Sequence, residues 1–266
     1  MDTKTCKIAF LGMGNMGSAI AGALRQKAGF DSTRIYAYAP HYEKLEKRSK
    51  EIGFIPCRSP QQALENADVV IMACKPYQIE KLLGQIKDDL RGKALLSIAL
   101  GWDLKKYQTI LDPSVRIQFV MPNTPAQVGE GVMLFESDNT LEEQERKEIM
   151  NWFSKMGLVV DLPTHLMGIG GALTGCGPAF VDLMIEAYAD AAVSYGIPRE
   201  QAYRLTSQMI LGAAKLQLET GKAPGELKDA VCSPGGSTIK GVMALEKNGY
   251  RAACIAAIQA AMDKSK

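Results

Sequence analysis

The chain of 266 residues is poor in the features that announce metal, nucleic-acid or membrane chemistry. Its six cysteines, Cys6, Cys57, Cys74, Cys176, Cys232 and Cys254, include no C-x-x-C pair. They lie in mostly apolar stretches, so buried reduced thiols are expected rather than disulfides or a metal site. Lysine and arginine are scattered, the formal net charge is +2, and no basic block points to a nucleic acid. The first residues lack the charged-then-apolar layout of a signal peptide, and no run approaches the ~18 apolar residues of a membrane span. A cytoplasmic protein without a membrane partner is the expectation. Only two histidines, His41 and His165, are available for imidazole chemistry.

What the chain has is a glycine turn at its start. An apolar run over residues 7 to 11 stops at Gly12-Met13-Gly14-Asn15-Met16-Gly17, and an alanine-rich stretch of helical character follows. In a strand, glycine turn and helix of this kind, the first glycine makes the tight turn. The second lets backbone approach a pyrophosphate, and the third lets helix and strand pack closely. Any glycine-bearing turn can imitate the spacing, but the strand before it and the helix after it favour a dinucleotide.

Residues 34 to 39 read as a second strand, whose last residue normally selects the cofactor. An acid there would hold the ribose 2′-hydroxyl of NAD and repel the 2′-phosphate of NADP. Here the tip is Ala39-Pro40-His41, with Lys44 and Arg48 beyond, so NADPH is expected, with NADH possible. Arg48 itself reads as the solvated face of the next helix. A short helix over 60 to 67 leads to an almost wholly apolar strand, 68 to 74, of the type covered on both faces in a parallel sheet. Lys75-Pro76 follows it, at the end of the strand where ligands of such sheets lie. Further strands are expected at 93 to 99, 116 to 121, 131 to 135 and 158 to 161, with a helix over 141 to 156. The stiff loop Pro122-Asn123-Thr124-Pro125 sits at the same mouth.

From Leu166 the pattern turns helical, placing the boundary near Pro163. The reading is α/β: a Rossmann-type dinucleotide-binding domain over 1–163, then an all-α domain over 164–266 for substrate binding and dimerisation. Helices are expected over 179 to 195, 199 to 220 and 239 to 247, with residues 221 to 225 as a loop. The first carries Asp182, Glu186 and Asp190 at helical spacing and is otherwise apolar, so it should be buried on most sides. A helical domain of this size cannot cover it alone, which asks for a second subunit. Before the last of these helices stands Ser233-Pro234-Gly235-Gly236-Ser237-Thr238, whose N–H and O–H donors suit an anion. An ordinary helix cap would look alike.

The chain resembles the pyrroline-5-carboxylate reductase family along essentially its whole length. The resemblance rests on Phe10 through Gly17, Cys74-Lys75-Pro76, Val120 through Ala126, Ala172 through Ala179, and Leu227-Lys228-Asp229 with Ser233 through Thr238. Cys176 and Cys232 stand where the family more often has Ser or Thr. It implies reduction of 1-pyrroline-5-carboxylate to proline with NAD(P)H. The cofactor would be held by Leu11, Gly12, Met13, Gly14, Asn15 and Met16, by Ala39 and Pro40, by Ala73, Cys74, Lys75 and Pro76, by Ile98, Ala99 and Leu100, and by Asn123. It further implies that Ser233, Gly235, Gly236, Ser237 and Thr238 hold the substrate's carboxylate and ring nitrogen, with Thr238 the catalytic candidate. Family members interlock their C-terminal helices as homodimers, which often build rings.

An imine nitrogen can be protonated before reduction, so little acid catalysis is required and the scarcity of histidine is no obstacle. Two rivals remain. A 3-hydroxyacid dehydrogenase shares the turn and the helical second domain but needs a catalytic lysine near residues 171 to 178, where there is none. A non-catalytic NADP-binding regulator would keep the fold without turnover.

Overall fold

The computed structural model describes residues 3–263, which form two compact units dividing after Gly175. In the first, strands β1 (Ile8–Leu11), β2 (Ile35–Tyr38), β3 (Ile55–Cys57), β4 (Val69–Met72), β5 (Ala94–Ser97), β6 (Arg116–Met121), β7 (Gly131–Glu136) and β8 (Gly157–Leu162) form one sheet. Its helices are α1 (Asn15–Gln26), α2 (Tyr42–Ile52), α3 (Pro60–Leu64), α4 (Pro76–Ile86), α5 (Leu104–Gln108), α6 (Glu143–Ser154) and α7 (Met167–Gly171). The strand order is β3-β2-β1-β4-β5-β6-β7-β8. The chain leaves β1 in one direction along the sheet and returns to continue from its other edge at β4. The crevice above the ends of β1 and β4 is therefore the switch point where such sheets take ligands.

Successive strand residues face opposite sides, as a pleated strand requires. Ile8, Phe10, Val69 and Ile71 meet Ile20 and Leu24 of α1 and Trp152 and Phe153 of α6. Ala9, Leu11, Val70 and Met72 meet Leu64 of α3, Ile79, Leu83 and Ile86 of α4, and Tyr107 of α5. Each such leucine, fully buried, contributes roughly 1.5 to 3 kcal/mol.

Three features that the sequence reading does not contain have local causes. The strand β3 is only three residues at the sheet edge and contains Pro56, so it carries almost no alternation to read. The short helix ends at Leu64 instead of Ala67, whose N–H closes a turn onto the Leu64 carbonyl. The strand β7 runs antiparallel to β6, while β8 is parallel to β7. A parallel return needs a crossover of about a dozen residues or more. Here one 3-10 turn, Thr124–Val128, closed by Gly129 at φ +87°, brings the chain straight back.

The second unit holds α8 (Gly177–Ser194), α9 (Arg199–Thr220), α10 (Pro224–Val231), α11 (Ser237–Lys247) and α12 (Tyr250–Asp263). The helix α10 begins within the expected loop, with proline in its first turn and Glu226 accepting from the Ala223 N–H. Within one chain α8 buries only Ala189 completely, and Leu183, Leu205, Met209, Leu218 and Ile255 are at least half exposed. The expected burial of α8 is thus not met by its own unit. The helical run Thr164–Ser194 is long and apolar enough to cross a membrane by length and composition, contrary to the absence expected from the sequence. Uniform burial of the cysteines fails too: Cys6 and Cys57 are buried, but Cys176 and Cys254 are exposed on the uncovered helices.

A buried acid marks the end of β7. Glu136 is 2% exposed, and among the described residues its Oε2 has no hydrogen-bond partner. Burial raises its carboxyl above the ordinary carboxylate range, the nearby charges of Asp103 and Asp138 add to this, and a Thr164 hydrogen bond opposes it. The folded state then holds a proton the unfolded chain has released, so stability falls as pH rises from about 4.3 through the raised value. Glu136→Gln should remove that loss. At pH 8 the variant should be more stable than the parent, with the difference closing near pH 4. Melting curves across pH check this, and a variant that melts lower at pH 8 would mean that the hydrogen bonds to the carboxylate outweigh the cost of burying it.

Candidate functional site

The site begins at the turn from β1 to α1. Gly12 has φ +103°, and a Cβ there would lie 2.5 Å from the Cys74 nitrogen and 2.6 Å from the Ala73 carbonyl carbon. Its own N–H donates to the Tyr38 carbonyl at 2.8 Å, so the ends of β1, β2 and β4 are drawn to one point. A Cβ on Gly17 would lie 2.9 Å from the Gly12 oxygen, which is the close packing of helix on strand. A Cβ on Gly14 would meet nothing within 4 Å. That side of the turn is open. Gly14 is the N-cap of α1 and offers no side chain, and the first turn carries no acid. The N–H groups of Asn15, Met16 and Gly17 therefore point, with the positive end of the helix dipole, at open space that suits a phosphate.

A cavity of about 890 Å³ opens beside this turn. Of the residues expected to hold a dinucleotide, Gly12, Met13, Gly14, Ala39, Pro40, Ala73, Cys74 and Lys75 line it. Leu11 is buried beneath the turn. Asn15 and Met16 open α1, and Pro76 opens α4. Ile98, Ala99 and Leu100 follow β5 and are not among the lining residues. Asn123 is buried, with its Nδ2 donating to the Thr174 carbonyl at 3.0 Å and its Oδ1 accepting from the Val132 N–H at 2.8 Å. Its side chain is committed to bracing the fold. Burial pushes the Cys74 thiol up to about 11, so this cysteine at the cavity wall stays protonated at neutral pH.

The cavity's outer edge is basic. His41, Lys44, Lys47, Arg48, Lys75 and Lys81 line it against a single carboxylate, Glu51. Among the described residues none of these basic side chains takes an ion-pair partner. Ala39 at the tip of β2 brings no negative charge, so this edge is set up for an anion. Arg48 is not merely solvated: it is half-buried, donates to the Met13 carbonyl, and lies 3.4 Å from the Ser18 hydroxyl. Also on the wall, and absent from the expected set, are Tyr77, Lys81 and Gln85. Their four-residue spacing on one face of α4 is the signal that finds them. No three His, Cys, Asp or Glu side chains gather as a metal cluster would need among the described residues.

The second candidate segment, in the helical unit, is a tight turn. The Gly236 N–H donates to the Ser233 carbonyl at 3.0 Å, and Gly235 has φ +70°, the left-handed position that follows proline in a type II turn. Gly236 is the N-cap of α11, so the cap is backbone and not a hydroxyl. Ser237 and Thr238 are the first helical residues, both exposed, and among the described residues neither hydroxyl takes a protein partner. The segment thus presents first-turn N–H groups and two free hydroxyls on one surface.

Residues 164–266 match the pyrroline-5-carboxylate reductase dimerisation family, and residues 7–101 match the family described as NADP oxidoreductase, coenzyme F420-dependent. The chain is 38% identical over 262 residues to the pyrroline-5-carboxylate reductase of Treponema pallidum (strain Nichols), spanning 97% of this chain and 99% of the relative. It is 38% identical over 261 residues to that of Escherichia coli (strain K12), spanning 98% and 97%. The crystal structure of Plasmodium falciparum pyrroline carboxylate reductase with NADP bound superposes with a TM-score of 0.88 at 31% identity, covering 98% of this chain and 97% of that one. With this likeness running through both units, the chain belongs to the pyrroline-5-carboxylate reductase family.

Proposed function

We propose that the protein reduces 1-pyrroline-5-carboxylate to L-proline with NADPH, the last step of proline biosynthesis, with NADH the poorer donor. The observation that carries this reading is the turn at Ser233–Gly236 running into α11, with the Ser237 and Thr238 hydroxyls unspent in a chain of this family. The glycine turn and the unpaired cations fit the cofactor's phosphates. Gly12, Met13 and Gly14 take the pyrophosphate side, with Asn15 and Met16 offering N–H groups. Ala39 and Pro40 border the adenosine, Ala73, Cys74 and Lys75 form the facing wall, and Pro76 opens α4 behind them. Ile98, Ala99 and Leu100 would bound the nicotinamide half, and Asn123 would act by bracing the mouth through Thr174 and Val132.

NADPH bound there supplies hydride. The hydride electron pair forms the new C–H bond at the imine carbon, the C=N π pair passes to nitrogen, and nitrogen carries one proton into the product amine. The chain's task is orientation. Backbone N–H groups at Gly235, Gly236 and Ser237 suit the carboxylate, the Ser233 and Ser237 hydroxyls can add to them, and the Thr238 hydroxyl suits the ring nitrogen. Charge-assisted bonds of ~1.5 to 3 kcal/mol each would hold the ring in place. The dehydrogenase alternative finds no lysine between Gly171 and Pro178 to donate its proton. We read 1–163 as the cofactor domain and 164–266 as the substrate and dimerisation domain. The exposed apolar residues of α8, α9 and α12 favour a homodimer, and the family's biosynthetic role favours the cytoplasm.

Thr238→Ala should lower kcat/KM for the cyclic imine roughly ten- to a hundredfold, about 1.4 to 2.7 kcal/mol, while NADPH affinity hardly moves. Steady-state kinetics beside a melting curve decides: a drop of ~1 kcal/mol in stability with kcat/KM unchanged would make Thr238 structural only. Sedimentation at micromolar concentration should give at least a dimer, and a fully active monomer would remove the case for pairing through these helices.

A further inference from the structure

Among the described residues of the basic edge, Arg48 alone hydrogen-bonds to the glycine turn. Its Nη1 donates to the Met13 carbonyl and lies 3.4 Å from the Ser18 hydroxyl. A guanidinium has five N–H donors in a planar fork. Those on Nε and Nη2 find no acceptor among the described residues, and Arg48 takes no carboxylate although Glu51 lines the same cavity. A half-buried arginine with spare donors beside a cavity is poised for a second acceptor. Around it stand His41, Lys44 and Lys47, also without ion-pair partners, and at the tip of β2 stands Ala39 in place of an acid. The acceptor that suits a planar fork within a cationic ring is a phosphate dianion.

We propose that Arg48 is a specificity-determining positioning residue that joins the Met13 carbonyl of the glycine turn to the 2′-phosphate of NADPH. This rests on the reductase reading for its cofactor, and it adds a coupling: one guanidinium both reads the phosphate and steadies the loop that receives the pyrophosphate. A ligand lacking the 2′-phosphate would leave Arg48 on Met13 alone. The preference for NADPH would then arise on α2, well beyond the tip of β2.

The test is binding of 2′,5′-ADP against 5′-AMP, which differ only in the phosphate at issue and need no turnover. The parent protein should bind 2′,5′-ADP at least tenfold more tightly. Arg48→Gln should lower that ratio ten- to a hundredfold, equivalent to about 1.4 to 2.7 kcal/mol, and should lower the NADPH-to-NADH ratio of kcat/KM in parallel. Arg48→Lys, which keeps a cation but loses the fork, guards against a folding defect and should lower the binding ratio at least threefold. If Arg48→Gln weakens both nucleotides equally, Arg48 is only a brace and the proposal fails. It also fails if the ratio is unchanged in either variant, or if the parent does not discriminate. A parent that discriminates but does not reduce the cyclic imine would overturn the reductase reading and leave this inference standing.

Discussion

The first unit depends on the approach of the β1–α1 turn to the end of β4. No side chain fits at Gly12, because the backbone of Ala73 and Cys74 occupies the place of its Cβ and its φ is in the left-handed region. Gly17, in the first turn of α1, adds a second steric constraint against the Gly12 oxygen. Together they press α1 onto the sheet and point its first N–H groups at the switch point between β1 and β4. The cavity lies there because the turn leaves Gly14 bare on its outer side while its inner side is filled.

Charge then selects what the cavity takes. Some ions of the first unit are closely paired elsewhere: Arg116 grips Glu145 with bonds of 2.8 and 2.9 Å, and Arg146 holds Asp161 at 2.7 Å. The side chains of the cavity edge have no such partners among the described residues. Leaving several cations unpaired costs self-repulsion in the free protein, and an anionic ligand offsets it. The helical unit is incomplete in a different sense. Its unspent surface is apolar, and a large apolar surface is satisfied by another protein surface.

Much of this is legible in the sequence, for reasons that differ by element. The strands β1 and β4 are continuous apolar runs because both faces of the sheet are covered, and the glycine spacing is dictated by sterics that no other residue type meets. The edge strand β3 and the reversal at β7 are not legible: one is too short for periodicity, and the other follows from a connection too short for a crossover. Asn123 marks the right loop, but its amide is turned to Thr174 and Val132, a long-range pairing that no local pattern encodes. Arg48 is hidden for the same reason, since its partner Met13 stands 35 residues away. The free hydroxyls of Ser237 and Thr238 depend on which residue caps α11, and only the fold assigns that to Gly236.

The central claim is hydride transfer from a cofactor seated at the glycine turn to the carbon of a cyclic C=N bond. Turnover of 1-pyrroline-5-carboxylate with NADPH carrying deuterium at the transferable position of its nicotinamide C4, followed by NMR of the product, tests it directly. The account predicts L-proline with one deuterium on the ring CH2 next to nitrogen, the carbon that does not bear the carboxylate, formed one-to-one with oxidised cofactor. Proline without deuterium, or tight NADPH binding with no oxidation in the presence of the imine, would contradict it.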